Sequence, residues 1–272
     1  MKPVVYVVTS CKGGIGKTTV TANLAAAIAD RGHRVLCVDC DYSNRALDLI
    51  FGTGSTDVPG IDVIIRDGIP AAGACVTVRE DRLWFVPGPS DGAVTFTREQ
   101  FEDKLTKIVS GLGCDTVFID TPGASDGILP TVAPCAGVGI IVTSHTPTSV
   151  RGAERMGKLL SGYGIDDQYL IVNRFDGKSA ARGERPGVNE LIDRTCVRLL
   201  GVVPDSRDLE LAQEEGILAD SFKRDRDRVC DSFDEIAARL CGERLPLFSY
   251  LPERKRKKLI VSVPKRKRRE NY

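Results

Sequence analysis

Short apolar, β-branched runs alternate along this chain with stretches in which apolar residues return every three or four positions. The runs Val4–Thr9, Val35–Asp39, Leu83–Val86, Thr116–Asp120, Gly139–Thr143, Tyr169–Asn173 and Arg198–Val203 read as strands. Between them, Val20, Leu24, Ala27 and Ile28, and again Phe101, Leu105, Ile108, Val109 and Leu112, fall on single helical faces. The stretch from Arg226 to Cys241 presents Val229, Phe233, Ile236, Ala237 and Leu240 on one side, and Gly242 stops it as a last amphipathic helix. Strands separated by helices imply βαβ units. The predicted fold is therefore α/β, a mainly parallel twisted sheet with helices on both faces. Residues 1–242 form that unit, and residues 243–272 form a flexible tail.

Composition narrows the class. With 272 residues and 42% hydrophobic content, the chain can bury one sizeable core. No run approaches the roughly 18 apolar residues of a transmembrane helix. The start Met-Lys-Pro-Val-Val enters the first strand too soon for a signal peptide, so residence in the cytoplasm is expected. Nine scattered cysteines do not make a disulfide scaffold in a chain of this length and read mostly as small buried hydrophobes. Cys37 and Cys40 do form a C-x-x-C, but along a strand end their side chains take opposite faces. Net charge is +1, yet residues 253–272 hold ten Lys/Arg against Glu253 and Glu270, which is +8, so residues 1–252 carry 1 − 8 = −7. A basic tail on an acidic body implies a polyanionic partner for the tail. The blocks Arg254–Lys258 and Lys265–Arg269 supply the charge. Leu247, Phe248, Tyr250, Leu251 and residues 259–263 offer shallow apolar insertion, while Pro246, Pro252 and Pro264 argue against one long helix.

The densest chemistry follows the first strand, where residues 10–19 read Ser-Cys-Lys-Gly-Gly-Ile-Gly-Lys-Thr-Thr. A strand, a glycine-rich turn and a helix start are the context of a phosphate loop. Gly13, Gly14, Ile15 and Gly16 bring backbone N–H groups together, Lys17 adds a point charge, and Thr18 and Thr19 bring hydroxyls, Thr18 suited to Mg²⁺. A ligand-free turn gives no reason for Lys-Thr-Thr at a helix start. Asp120 ends a central strand, where a parallel sheet opens its ligand crevice and a carboxylate can hold a metal-bound water. Asp39 and Asp41 end another strand; Asp39 is placed near the metal, and Asp41 is placed to orient an attacking water.

Lys12, at the opening of the loop, is a lysine that an ordinary phosphate loop does not need. In this it resembles the deviant-Walker ATPases of the MinD/ParA family. The resemblance extends over Asp39, Asp41, Arg45, Leu47, Asp48, Leu49 and Gly52, and through Asp120-Thr-Pro-Gly-Ala124, Ser149-Val-Arg151, Val172-Asn-Arg174 and Gly201-Val-Val-Pro-Asp205, covering nearly all of residues 1–241 on the MinD side of the family. Three features depart from the pattern: Cys11 stands where it has glycine, Pro122-Gly123-Ala124 replaces its Pro-Ala-Gly, and the tail lacks the short, proline-free amphipathic helix typical of the MinD side of the family.

The resemblance implies a P-loop NTPase fold that binds ATP and Mg²⁺ and forms a homodimer in the ATP state, with Lys12 reaching the partner's nucleotide. It implies that Lys12, Lys17 and Asp41 carry catalysis, that Thr18, Asp39 and Asp120 surround the metal, and that Asn173 and Asp205 edge the adenine. The further expectations are activating and inhibitor partners of the Min type and peripheral attachment to the inner face of the cell membrane through residues 245–269. The alternative is a ParA-like partition ATPase whose tail binds DNA without sequence preference. An iron–sulfur carrier is disfavoured, because the C-terminal half has no C-x-x-C. His33 and His145 lack spacing to a second metal ligand and read as solvated loop residues.

Overall fold

A computed structural model describes residues 2–42, 44–54, 57–89, 95–123, 127–221 and 228–247, with residues 260–261 described as backbone. The strands are β1 (Val4–Ser10), β2 (Val35–Asp39), β3 (Val76–Arg79), β4 (Leu83–Val86), β5 (Thr116–Gly123), β6 (Val138–Thr143), β7 (Gln168–Phe175) and β8 (Arg198–Pro204). They form one sheet in the order β3-β4-β2-β5-β1-β6-β7-β8. All pairs are parallel except β3 with β4. The helices in chain order are α1 (Lys17–Asp30), α2 (Leu47–Ile50), α3 (Ile61–Arg66), α4 (Arg98–Leu112), α5 (Leu129–Val132), α6 (Pro147–Gly162), α7 (Gly177–Ala181), α8 (Val188–Thr195), α9 (Arg207–Glu214) and α10 (Val229–Leu240).

Alternation along the strands builds two core layers. Tyr6, Val8, Cys37 and Phe118 point to the face covered by α1 and α10, whereas Val7, Leu36, Val38, Val117 and Ile119 point to the face covered by α4, α6 and α8. Cys37 and Cys40 accordingly lie in different layers as free, buried thiols. Helix α4 begins at a Thr97–Gln100 capping box and ends at Gly113 with φ of 65°, a start that contributes about 1 kcal/mol. Helix α10 lies so close to β8 that a Cβ at Gly201 would fall 2.3 Å from Ile236 Cγ1.

Parallel register decides where the carboxylates fall. Asp39 pairs with Asp120 across β2 and β5, and Asp120 pairs with Val8 across β5 and β1, two residues before the glycine-rich turn. The acidic strand ends and the turn are thus brought together at the C-terminal end of the central strands.

The chain beyond α10 differs from the expected free tail. Arg239, 1% exposed, donates to the carbonyls of Leu200 (3.2 Å), Leu245 (3.3 Å) and Pro246 (2.8 Å) and pairs with Glu235 at 2.9 Å. Leu245–Pro246 (β9) forms an antiparallel ladder with Ile260–Val261 (β10). Leu247 is buried in the layer beneath α6 and α8, so it is core and unavailable for membrane insertion. Both basic blocks, with Phe248, Tyr250 and Leu251, lie outside the described residues.

Candidate functional site

The turn from β1 into α1 is shaped by glycine where the backbone demands it. Gly14 and Gly16 have φ of 73° and 89°, and Gly16 is the N-cap of α1. A Cβ at Gly13 or Gly14 would meet nothing within 4 Å, so both face open space. That space is a cavity of about 500 Å³ walled by Gly13, Gly14, Lys17, Thr18, Asp41 and Gly123, among others. Lys17 is 5% exposed. Its charge acts through space on Asp120, yet it makes no contact ion pair among the described residues. A buried ammonium without a counter-ion is costly, and an anion in the adjoining cradle removes that cost while meeting the N-terminus of α1.

Asp120 lies directly behind the cradle and is fully buried. Its Oδ2 accepts from the Thr18 hydroxyl at 2.7 Å and its Oδ1 from the Thr21 hydroxyl at 2.8 Å. Burial pushes its carboxyl up to about 6, and the two hydroxyl donors and Lys17 partly offset that rise. Thr18 and Asp120 together offer hard oxygen donors, the set that suits Mg²⁺. Asp39 is buried alongside. Its oxygens accept from the Asp41 N–H (2.8 Å) and the Leu47 N–H (3.5 Å), so it braces the loop that carries Asp41. Burial first, then the neighbouring Asp120, raises its carboxyl well above the usual range. Asp41 itself faces the cavity, with Oδ1 accepting from the Asn44 N–H at 3.2 Å.

The remaining residues of the sequence prediction separate into two groups. Ile15 is buried, and its carbonyl accepts from the Asn173 amide at 2.8 Å, which ties β7 to the turn. Thr19 lines the cavity and donates to Gln213 Oε1 at 3.0 Å. Lys12 is exposed and outside the cavity wall, as is Asp205. The two departures from the motif have local explanations. Cys11 packs against α6 where a Cβ at Gly152 would come within 2.6 Å of its Cβ, and Gly123 lets β5 approach Gly13 N, a Cβ there falling 3.2 Å away.

Sequence reasoning missed Arg174, which lines the cavity with φ of 52° and pairs with Glu210 at 2.9 Å. It also missed Gln213, on the wall of an adjoining cavity of about 680 Å³ that shares Ala46, Ile50 and Arg174 with the first. Nothing in the local pattern marks Gln213. The expectation of a solvated His145 is overturned: it is fully buried, its ring tilted by 41° against Phe175 with centroids 4.6 Å apart, and its Nε2 accepts from the Asp176 N–H at 3.1 Å. Burial and the nearby Arg185 lower its pKa, so it is a neutral packing residue. His33 is half-exposed beside Asp115.

A doubly covered, mainly parallel sheet with a glycine cradle, a buried lysine and a threonine–aspartate pair at the C-terminal end of its central strands defines a P-loop nucleotide-binding protein. Residues 6–219 match the CobQ/CobB/MinD/ParA nucleotide binding domain, and the chain belongs to that family. It is 31% identical over 250 residues to the septum site-determining protein MinD of Thermotoga maritima, covering 89% of this chain and 90% of that protein. Its fold is similar to a chain of the MinC:MinD cell division protein complex of Aquifex aeolicus, with TM-score 0.83, 27% identity, and 91% and 99% of the two chains covered. It is also similar to the septum site-determining protein MinD complexed with Mg-ADP from Pyrococcus horikoshii OT3, with TM-score 0.73, 25% identity and coverage of 88% and 96%.

Proposed function

We propose that this chain is an ATP-driven dimerising switch of the MinD type that takes part in placing the division septum. The observation that carries the reading is Lys17, buried with no contact ion pair among the described residues, in a cradle of open glycines beside the Thr18–Asp120 pair. Lys17 and the N–H groups of residues 13–18 hold the phosphates of ATP. Thr18 and Asp120 hold Mg²⁺, which supplies neutralisation of phosphate charge when bound. Asp41 orients the attacking water from the cavity wall. Lys12, exposed at the turn's outer edge, is placed to serve a second copy across the nucleotide, so the site is complete only in the dimer and turnover without an activating partner is slow.

The relatives' names support the division-site role, and the MinC:MinD complex supports Min-type protein partners. In this reading the protein is cytoplasmic, and the ATP-bound dimer attaches peripherally to the inner face of the cell membrane through its basic tails. The test is nucleotide binding and phosphate release with Mg²⁺, comparing the native chain with Lys17→Ala. The native chain binds ATP and releases phosphate slowly, and Lys17→Ala loses both. A folded native chain that binds no ATP overturns the proposal.

A further inference from the structure

At the end of the sheet opposite the nucleotide cavity, three side chains from separate elements stand in line. Cys241 is the C-cap of α10, and its Sγ lies 3.5 Å from Nε2 of His33, in the turn that leads into β2. His33 Nδ1 lies 3.0 Å from Oδ1 of Asp115, the residue before β5. Asp115 is itself fixed, its Oδ1 accepting from the Thr116 hydroxyl at 2.7 Å and its Oδ2 from the Arg34 N–H at 3.3 Å. An ionised carboxylate only accepts, so Nδ1 carries the ring proton and Nε2 is left to accept from the thiol. A nucleophile, a base and a group that orients the base, in that order, is the arrangement of an activated thiol.

The surroundings agree with that use. Cys241 and His33 are both open to solvent. The charged groups facing the sulfur are Arg31 and Glu243, paired with each other at 2.6 Å, and Asp115. Burial raises the thiol's pKa more than Arg31 lowers it, so Cys241 rests as the thiol and needs a base to react. No group of three candidate metal ligands occurs among the described residues. Cys196 provides an internal contrast, since it too is exposed but its Sγ meets the Asp193 carbonyl at 3.5 Å, with no histidine contact among the described residues.

We propose that Cys241, His33 and Asp115 form a thiol-exchange site whose substrates are small disulfides. The Cys241 proton passes to His33 Nε2 as Sγ attacks one sulfur of the disulfide. The new Sγ–S bond forms as the substrate's S–S bond breaks, and the departing thiolate takes the proton from His33. The disulfide is the oxidant, and the products are a mixed disulfide on Cys241 and one free thiol. The adduct sits four residues before Leu245, at the root of the basic tail.

The test uses the full chain with oxidised glutathione, following adducts at Cys241 and Cys196 by peptide mapping between pH 6 and pH 8.5. Cys241 is expected to react at least about tenfold faster than Cys196. His33→Gln should slow Cys241 about tenfold, within the range of general-base assistance, remove a step from its pH profile and leave Cys196 unchanged. Asp115→Asn should give an intermediate rate. Thermal melting of each variant establishes that it is folded. Equal rates at the two cysteines, or a folded His33→Gln with the native rate and pH profile, would overturn the proposal.

Discussion

Two lysines five residues apart meet different environments, and their proposed roles divide accordingly. Lys17 is buried at the helix start, whereas Lys12 stands exposed at the turn's outer edge. Lys12→Ala should therefore leave ATP affinity within about threefold, well under 1 kcal/mol, while abolishing the dimer seen by size-exclusion with a slowly hydrolysed ATP analogue. A persisting dimer would remove the trans role. The aspartates divide similarly. Asp41→Ala should retain nucleotide and stop turnover, because only the water-facing carboxylate is lost, whereas Asp120→Ala should weaken Mg²⁺-dependent binding; identical behaviour would refute that division. Asp120 also carries a pH signature. Its pKa rises from 3.8 unfolded to about 6 folded, so between those values the folded chain keeps a proton that the unfolded chain has released. The group's contribution to stability falls as pH rises through that window, reaching a cost on the order of 3 kcal/mol above it. The nucleotide-free Asp120→Asn variant should gain stability relative to the native chain as pH rises from 4 to 7. A pH-independent difference in denaturant melts would show that the carboxyl is not strained by burial.

At the scale of elements, the seven strands anticipated from apolar runs are all present, β2 and β4 with the expected bounds and the other five longer by one to three residues, because central strands buried on both faces write continuous apolar runs. β3 escaped because Val76-Thr-Val-Arg79 is a four-residue, half-exposed antiparallel edge strand, the kind with the weakest pattern. The glycine-rich turn was legible since its chemistry is local in sequence. Arg174, Gln213 and the burial of His145 were not, because each depends on which distant elements the topology stacks beside it. The β9–β10 ladder escaped for the same reason and changes where the tail begins. Removing residues 248–272 should leave the melting temperature close to native. Removing residues 243–272 should cost about 2–4 kcal/mol more, since Arg239 loses two carbonyl acceptors and the core loses Leu247. Equal melting temperatures for the two truncations would show that the Arg239 clamp contributes nothing.

For the whole molecule, charge separation favours a polyanionic partner for the tail. The body carries −7 and residues 253–272 carry +8, so a polyanionic surface attracts the tail and repels the rest. Each Lys or Arg near an anionic surface contributes on the order of 1 kcal/mol, screened beyond a Debye length of about 10 Å at 0.1 M salt. In the proposed ATP-bound dimer two tails would bind as a linked pair, and their effective concentration would let a weak single contact become a stable double one. Attachment should therefore follow the nucleotide: with ATP the full chain should sediment with anionic liposomes, with ADP it should remain largely in the supernatant, and raising salt should release it. The chain ending at residue 247 should stay in the supernatant in every condition while still binding ATP. DNA offers the same charge without an apolar interior, so the runs around Tyr250 and Leu259 add nothing there, whereas at a bilayer they add buried area. Full-length protein that ignores anionic liposomes in ATP at moderate salt, yet shifts DNA, would overturn the membrane reading and place this chain with the partition ATPases.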